Sequence, residues 1–381
     1  MKVLSIGSDR KLFEEGSAVQ ARAIEYAALF EELHIVVFST GIFAKTQIAS
    51  NAWVYSTNSW SRWLYILDAI RIGKRIIHDS KFVIRDSVLT AQDPFECGLA
   101  AYKIARFFKL PLHVQIHTDF LSPYFASLSI LNRIRVRIAR RVLPYAAAIR
   151  VVSERIKNSL SKVNCQLSKV SVLPIFTDLE KFQKTESAFD LKSRYPNWHF
   201  IILVVARLSP EKNIGFAFTL LGELLKKYPK IGMVVVGDGP LEESLKSQVK
   251  SLRLEENVVF EGRQEDTVSY YKTANLFLQS SLYEGFGLAL LEAVAAGCPS
   301  VSSDVGIAPE LLNRKEYSFV CPVNDLGCFV ETTSKLIENN QLREFFSLDI
   351  APIAVASFLI SKQIYLEAYK TSLEGCLPAS Q

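Results

Sequence analysis

The chain has 381 residues, 49% of them hydrophobic, and 44 Lys and Arg against 39 Asp and Glu give a formal charge of +5. This length exceeds the ~250–300 residues at which a single core stops growing, so two domains of about 180 to 200 residues are expected. No apolar run approaches the ~18 residues of a membrane span, and MKVLSIGS opens on a strand and not on a charged and then apolar leader, so a cytoplasmic protein is expected.

Residues 1–180 alternate short β-branched runs with helical stretches. VLSIG, HIVVFS, KFVIRDSVLTAQ, PLHVQIHT, AAIRVVS and KVSVLPI are the predicted strands. Segments such as AVQARAIEYAALFEEL and FECGLAAYKIARFFKL repeat apolar residues at three and four positions and predict helices. Strand, helix, strand in repetition predicts a parallel sheet covered on both faces. The first loop, GSDRKLFEEGSAVQARA, holds Gly16 and Ser17 just before a helix. Gly16 could let a substrate approach the backbone, or Gly16-Ser17 could simply cap the helix. No G-x-G-x-x-G follows the first strand, which weighs against a nicotinamide or flavin enzyme.

His117, followed by Asp119, closes PLHVQIHT at the carboxyl end of a predicted strand, where active sites collect. It could exchange a proton or hydrogen bond with a sugar hydroxyl or phosphate, or be a partly buried structural histidine. NRIRVRIARRVL places Arg133, Arg137, Arg140 and Arg141 at helical spacing with Ile134, Ile138 and Val142 between them. That pattern fits either a solvated basic helix or one resting on anionic lipid headgroups. Residues 1–180 carry 24 Lys/Arg and 15 Asp/Glu, a net of +9, against 20 and 24, a net of −4, in the remainder, which sums to +5. A basic half suggests an acidic partner there; no nucleic-acid partner is expected.

After TDLEKFQKTESAFDLKSRYPNW the pattern restarts with FIILVVARLS, IGMVVVGDG, NVVFEGR, ANLFLQSS and PSVSSD, each followed by a helix. The expectation is two doubly wound Rossmann-like α/β domains facing each other across a cleft: residues 1–180, residues 181–355, and a final helix in 356–381 that could cross back to the first domain. VVARLSPEKN sets Arg207 and Lys212 just past a strand, where two cations could clamp a diphosphate or be ordinary loop charge. VVFEGR ends a strand with Gly262 and Arg263. EGFGLALLEAVAAGCPS carries Glu284 and Glu292 eight positions apart, a helical step about 80° beyond two full turns, so the helix is expected to start after Glu284. Gly285-Phe286-Gly287 then reads as a tight loop that presents N–H groups and a positive helix end at Leu288, favourable for a phosphate, although a plain loop-to-helix junction has the same pattern. The six cysteines, Cys97, Cys165, Cys298, Cys321, Cys328 and Cys376, show no C-x-x-C pair and no zinc-like histidine spacing, and free or buried thiols are expected.

VVARLSPEKN, VVVGDGPLEESL, VVFEGR, the E-x7-E stretch EGFGLALLE and AAGCPSVSSDVG, in that order, resemble family-four glycosyltransferases of the GT-B fold. The resemblance covers residues 200–306 strongly. The first half matches in outline, through Gly16, HTD at 117–119 and VVSERIKNSL. LPIFTDLEKF stands where family members often read N-G-V-D, so Asp178 fits while the Asn and Gly are missing.

The resemblance implies transfer of a sugar from a UDP- or GDP-sugar to a glycan or lipid-linked acceptor with retention of configuration. It implies that Arg207 and Lys212 hold the diphosphate, and that Glu292 accepts from ribose hydroxyls. Glu284 would bind hydroxyls of the transferred sugar, and the N–H groups of Phe286, Gly287 and Leu288, beside Gly285, would reach sugar or phosphate. Arg263 would lie near the base, His117 would line the sugar pocket, and Gly16 would admit acceptor and phosphate. No metal or other cofactor is expected, because the two cations take a metal's role and no D-x-D cluster is present. A sugar-nucleotide epimerase and a non-catalytic nucleotide-sugar-binding protein are the alternatives.

Overall fold

The computed structural model describes residues 1–313 and 317–378. The chain divides into two compact units, Met1–Pro174 together with the chain from Ser361 onward, and Ile175–Ile360.

The first unit is built on eight strands: β1 (Lys2–Gly7), β2 (Glu32–Val37), β3 (Thr46–Ala49), β4 (Ala52–Ser56), β5 (Ser87–Ala91), β6 (Leu112–Ile116), β7 (Ala148–Val151) and β8 (Val170–Val172), in the order β3-β4-β2-β1-β5-β6-β7-β8. All neighbours pair in parallel except β3, which runs antiparallel to β4 on the edge. The second unit holds β9 (Phe200–Val205), β10 (Ile231–Val236), β11 (Val258–Gly262), β12 (Leu276–Gln279), β13 (Ser300–Ser303) and β14 (Val320–Cys321), all parallel in the order β11-β10-β9-β12-β13-β14. Every residue of β10 is buried, as is every residue of β5 and β6. Helices on both faces exclude water from these strands, so β10 reads as a nearly unbroken hydrophobic run, whereas β5 and β6 bury Thr90, His113 and Gln115 among their apolar residues. In each sheet the chain winds outward from a central strand and returns on its other side, so the order reverses between β1 and β5 and again between β9 and β12. Loops that leave the carboxyl ends of such strand pairs diverge and leave room for a ligand.

Three local expectations change. Only Ser87–Ala91 of KFVIRDSVLTAQ is a strand. Lys81 has φ 52°, and Val83 and Ile84 are exposed, so the residues before Ser87 turn instead of pairing. The stretch TDLEKFQKTESAFDLKSRYPNW, where no element is predicted, contains the short helices Leu179–Lys184 and Leu191–Arg194, capped by Asp178 and Asp190. Cys321 and Cys328 form a disulfide, correcting the expectation of thiols only. The turn from β14 into the helix Leu326–Glu338 folds back and brings their Cα atoms to 5.7 Å, a proximity that a spacing of seven residues does not announce. Cys97, Cys298 and Cys376 are buried free thiols, and Cys165 is half-buried.

The helix Lys362–Glu374 packs in the first unit around buried Arg150 of β7. Arg150 donates to the Leu173 and Pro174 carbonyls, to the Gln115 amide oxygen at 3.0 Å and to the Tyr365 hydroxyl at 2.9 Å. Four polar acceptors compensate a cation that burial would otherwise penalise heavily.

Candidate functional site

The reversal between β9 and β12 gathers the charged residues of the second unit. After β9 the chain passes Arg207 and makes a single turn, Pro210–Lys212, closed by Asn213 at φ 51°. After β12 it runs through Ser280–Gly287 into the helix Leu288–Ala295. The two loops are laced together. The Leu282 N–H donates to the Glu211 carbonyl at 2.8 Å, the Ser280 hydroxyl to the Lys212 carbonyl at 3.1 Å, and the Asn213 amide to the Ser280 carbonyl at 3.3 Å. This framework sets Lys212 Nζ 2.6 Å from Glu284 Oε1, which also accepts from the Ser281 hydroxyl at 2.8 Å. The pair is mostly shielded, with side-chain exposures of 23% and 12%, so its electrostatics exceed those of an ordinary surface bridge. Arg207 is exposed, and its guanidinium makes no hydrogen bond or ion pair among the described residues.

Gly287, at φ 104°, is the N-cap of the helix Leu288–Ala295. Helix geometry leaves the N–H groups of Leu288, Ala289 and Leu290 without partners inside the helix. Gly306, at φ 52°, closes over this loop: a Cβ there would stand 2.1 Å from the Phe286 carbonyl oxygen, and the Ile307 N–H donates to that same oxygen at 2.9 Å. Gly285, Phe286 and Gly287 are buried beneath it.

Glu292 lies in the second turn of this helix and accepts from the Tyr271 hydroxyl at 3.1 Å. Burial is the leading influence on its carboxyl, outweighing Tyr271 and the Lys181 charge, and pushes its pKa up to about 7. Arg263 is exposed just after β11, beyond Gly262. Among the described residues no group of three or more His, Cys, Asp or Glu could hold a metal ion.

In the first unit, His117 follows the carboxyl end of β6. Burial, followed by the Arg150 and Arg22 charges, lowers its pKa to about 3, so the ring is neutral near pH 7. Its Nε2 is buried and has no hydrogen-bond partner among the described residues, and neither does Asp119 Oδ1. Gly16 is exposed at φ 75°, and Ser17 caps the helix Ala18–Ala27 by accepting from the Gln20 N–H. Arg133, Arg137, Arg140 and Arg141 are exposed on the helix Ile130–Val142.

The family model of the glycosyl transferases group 1 matches residues 189–347, and that of glycosyltransferase family 4 matches residues 27–181. The chain belongs to the family-four glycosyltransferases. Its fold is GT-B, built from two Rossmann-like units. A crystal structure of Anabaena HepE in complex with UDP and glucose aligns at a TM-score of 0.74 with 18% identity, covering 98% of this chain and 99% of that one. Sucrose-phosphate synthase from Thermosynechococcus elongatus aligns at 0.78 with 15% identity, over 97% and 98%.

Among curated proteins, the alpha-monoglucosyldiacylglycerol synthase of Streptococcus pneumoniae is 30% identical over 60% of this chain and 54% of its own length. An Escherichia coli UDP-Gal:alpha-D-GlcNAc-diphosphoundecaprenol alpha-1,3-galactosyltransferase is 28% identical over 46% of each. The chain spans about half the length of each of these curated relatives.

Several residues that build the site went unremarked in the sequence. Tyr271 sits in YYKTA with no motif to mark it, yet its hydroxyl holds Glu292. Ser281 and Asn213 are similar, since nothing local says that a serine after one strand will meet a loop after another.

Proposed function

We propose that this family-four glycosyltransferase moves a sugar from a UDP- or GDP-sugar to a glycan or lipid-linked acceptor, with retention of configuration. The observation that carries the reading is the Lys212–Glu284 pair beside the amino terminus of the helix Leu288–Ala295. A cation, a carboxylate and free N–H groups at one switch point suit a sugar diphosphate, whose phosphates need positive charge and whose sugar hydroxyls need an acceptor. Arg207 and Lys212 neutralise the diphosphate as it leaves, the role a metal ion plays elsewhere. Glu284 receives hydroxyls of the transferred sugar, Glu292 faces the ribose, and Arg263 lies by the base. Neutral His117 offers a hydrogen bond to a sugar hydroxyl, and Gly16 gives the acceptor room.

An acceptor at a bilayer surface is supported by the names of two relatives, one a diacylglycerol glycolipid synthase and the other acting on a diphosphoundecaprenol substrate. The arginines of the helix Ile130–Val142 then hold the enzyme on anionic lipid from the cytoplasmic side. The test is a panel of radiolabelled UDP- and GDP-sugars incubated with soluble glycans and with lipid-linked acceptors, and the anomeric configuration of any product read by NMR. Transfer from one donor with an α product from an α donor is expected. Epimerised donor, or donor bound and returned unchanged with every acceptor, overturns the assignment.

A further inference from the structure

Two of the four tryptophans stand almost fully in water. Trp60 is 93% exposed and Trp63 is 89% exposed, and Ile42, on the neighbouring loop, is 95% exposed. Their position is fixed by the sheet: β2 and β4 are adjacent and parallel, with Val37 opposite Ser56, so residues 38–45 and 57–64 leave the same edge side by side. The two loops are stitched at three levels. The Ser39 N–H donates to the Thr57 hydroxyl at 2.9 Å, and the Ser59 N–H to the Ser39 carbonyl at 2.8 Å. Asn58 then grips Phe43 from both sides, accepting from its N–H and donating to its carbonyl, each at 3.0 Å. The Phe43 ring stacks on Phe13 at 4.6 Å, so the loop spends one apolar side chain on its own fold and leaves Ile42 outside.

Large apolar side chains left almost fully exposed on preorganised loops mark a contact surface. Here the chemistry selects among partners. Residues 40–67 include Lys45 and Arg62 and no Asp or Glu, and Arg62 is exposed between the two tryptophans. Indole rings flanking a guanidinium suit the level of lipid headgroups, where an apolar body and a polar edge are both satisfied and the cation meets anionic phosphate. A glycan could stack on the indoles, but Ile42 offers a sugar nothing, whereas it fits the acyl boundary.

We infer that Ile42, Trp60 and Trp63 form an apolar hook that inserts into the headgroup region of an anionic bilayer. The inference rests on the peripheral-membrane reading above and adds a second, non-electrostatic anchor to the arginines. An anchor of buried apolar area persists where salt has screened charge, since the Debye length falls to about 3 Å at 1 M.

The test uses the full chain with phosphatidylglycerol–phosphatidylcholine vesicles whose acyl chains are brominated. Tryptophan emission and sedimentation are read together at low salt and at 1 M salt. A blue shift with quenching is expected, together with a sedimenting fraction that survives salt. Trp60→Ala/Trp63→Ala should lose the shift and the salt-resistant fraction while keeping the wild-type far-UV spectrum. Ile42→Asp, which keeps both reporters, should lose the quenching as well. Sedimentation without any change in emission overturns the hook and leaves the arginines as the sole anchor. No sedimentation with any vesicle removes the hook together with the membrane reading. Emission that responds to soluble oligosaccharides and not to vesicles replaces the hook with a sugar platform.

Discussion

Lys212 is shared between two demands, since its ammonium already bonds Glu284 and the proposed donor asks it to face a phosphate as well. Replacing it with Ala removes one charge-assisted contact, worth about 1.5–3 kcal/mol, so kcat/KM should fall roughly ten- to a hundredfold. Among the described residues it also leaves Ser281 as the remaining hydrogen-bond partner of the Glu284 carboxylate. Glu284→Gln keeps the lysine, and should lower kcat more than it weakens binding of free UDP or GDP, because the carboxylate addresses the sugar and not the nucleotide. Steady-state rates and calorimetric titration of the nucleoside diphosphate, run on both variants, check the split. Equal losses of nucleotide affinity in the two would reassign Glu284 to the phosphates.

Glu292 gives a pH dependence. Its carboxyl rises from 4.5 to about 7 on folding, so between those values the native state binds more protons than the unfolded one. The slope of stability with pH is then negative: the contribution falls as pH rises through that window and is constant above it, by on the order of 1–3 kcal/mol in all. Binding of ribose hydroxyls to the carboxylate runs the other way and strengthens as pH passes about 7. Glu292→Gln should flatten both trends in thermal melts and nucleotide titrations taken from about pH 5 to 8. A wild-type profile already flat across that range would remove Glu292 from both.

At the scale of elements, the site depends on how a strand end turns into a helix. Gly287 and Gly306 both have positive φ, and Gly306 is packed against the carbonyl that orders the loop. Gly306→Ala therefore meets strain and a clash together, and should lower stability by about 1–3 kcal/mol while raising the KM for donor. Calorimetry and donor kinetics on the same sample would show it. Unchanged stability would mean that the loop relaxes freely and does not order the donor.

Gly287 was visible in EGFG, as were Arg207, Lys212, Glu284 and Glu292, because tight turns and charge beside a strand end leave a local trace, whereas Gly306 was not singled out. The alternation of buried strands with amphipathic helices was equally plain, since parallel strands covered on both faces read as unbroken hydrophobic runs. What the sequence did not carry is long-range. The edge strand β3 and its neighbour β4 were passed over because TQIASNAWVYS has neither a long apolar run nor a clean alternation, and β14 spans two residues. Tyr271 meeting Glu292, Asn213 meeting Asn324 at 2.9 Å, and Cys321 meeting Cys328 are products of the fold. The first two require knowing which strands are neighbours before the partner can be named, and the disulfide requires knowing how the turn after β14 folds back.

At the scale of the whole chain, the uneven charge becomes a prediction about where the enzyme works. The net of +9 in residues 1–180 against −4 in the rest makes one part of the molecule attractive to anionic surfaces and the other not. Within the basic part, Arg135 is spent on Glu96 at 2.9 Å, and Arg133 donates to the Ala126 carbonyl, whereas Arg137, Arg140 and Arg141 are exposed with no such partner among the described residues. Ile130, Leu131 and Ile134 on the same helix are exposed too, so a lipid surface would meet cation and hydrocarbon together. Each arginine near an anionic surface contributes about 1 kcal/mol, so Arg137→Gln with Arg141→Gln should weaken partition onto phosphatidylglycerol vesicles by about 2 kcal/mol, roughly thirtyfold, at low salt. The same pair of changes should matter little at 1 M salt, where screening has already removed the term. The dependence on salt separates this contribution from an apolar one, since a loss of binding that persists unchanged at high salt would mean that the two arginines act through packing and not through charge. Transfer to a soluble acceptor analogue, assayed beside the vesicles, completes the comparison. If the variant is slowed equally on soluble and vesicle-borne acceptors, the arginines serve the reaction itself and the bilayer has no part in their role.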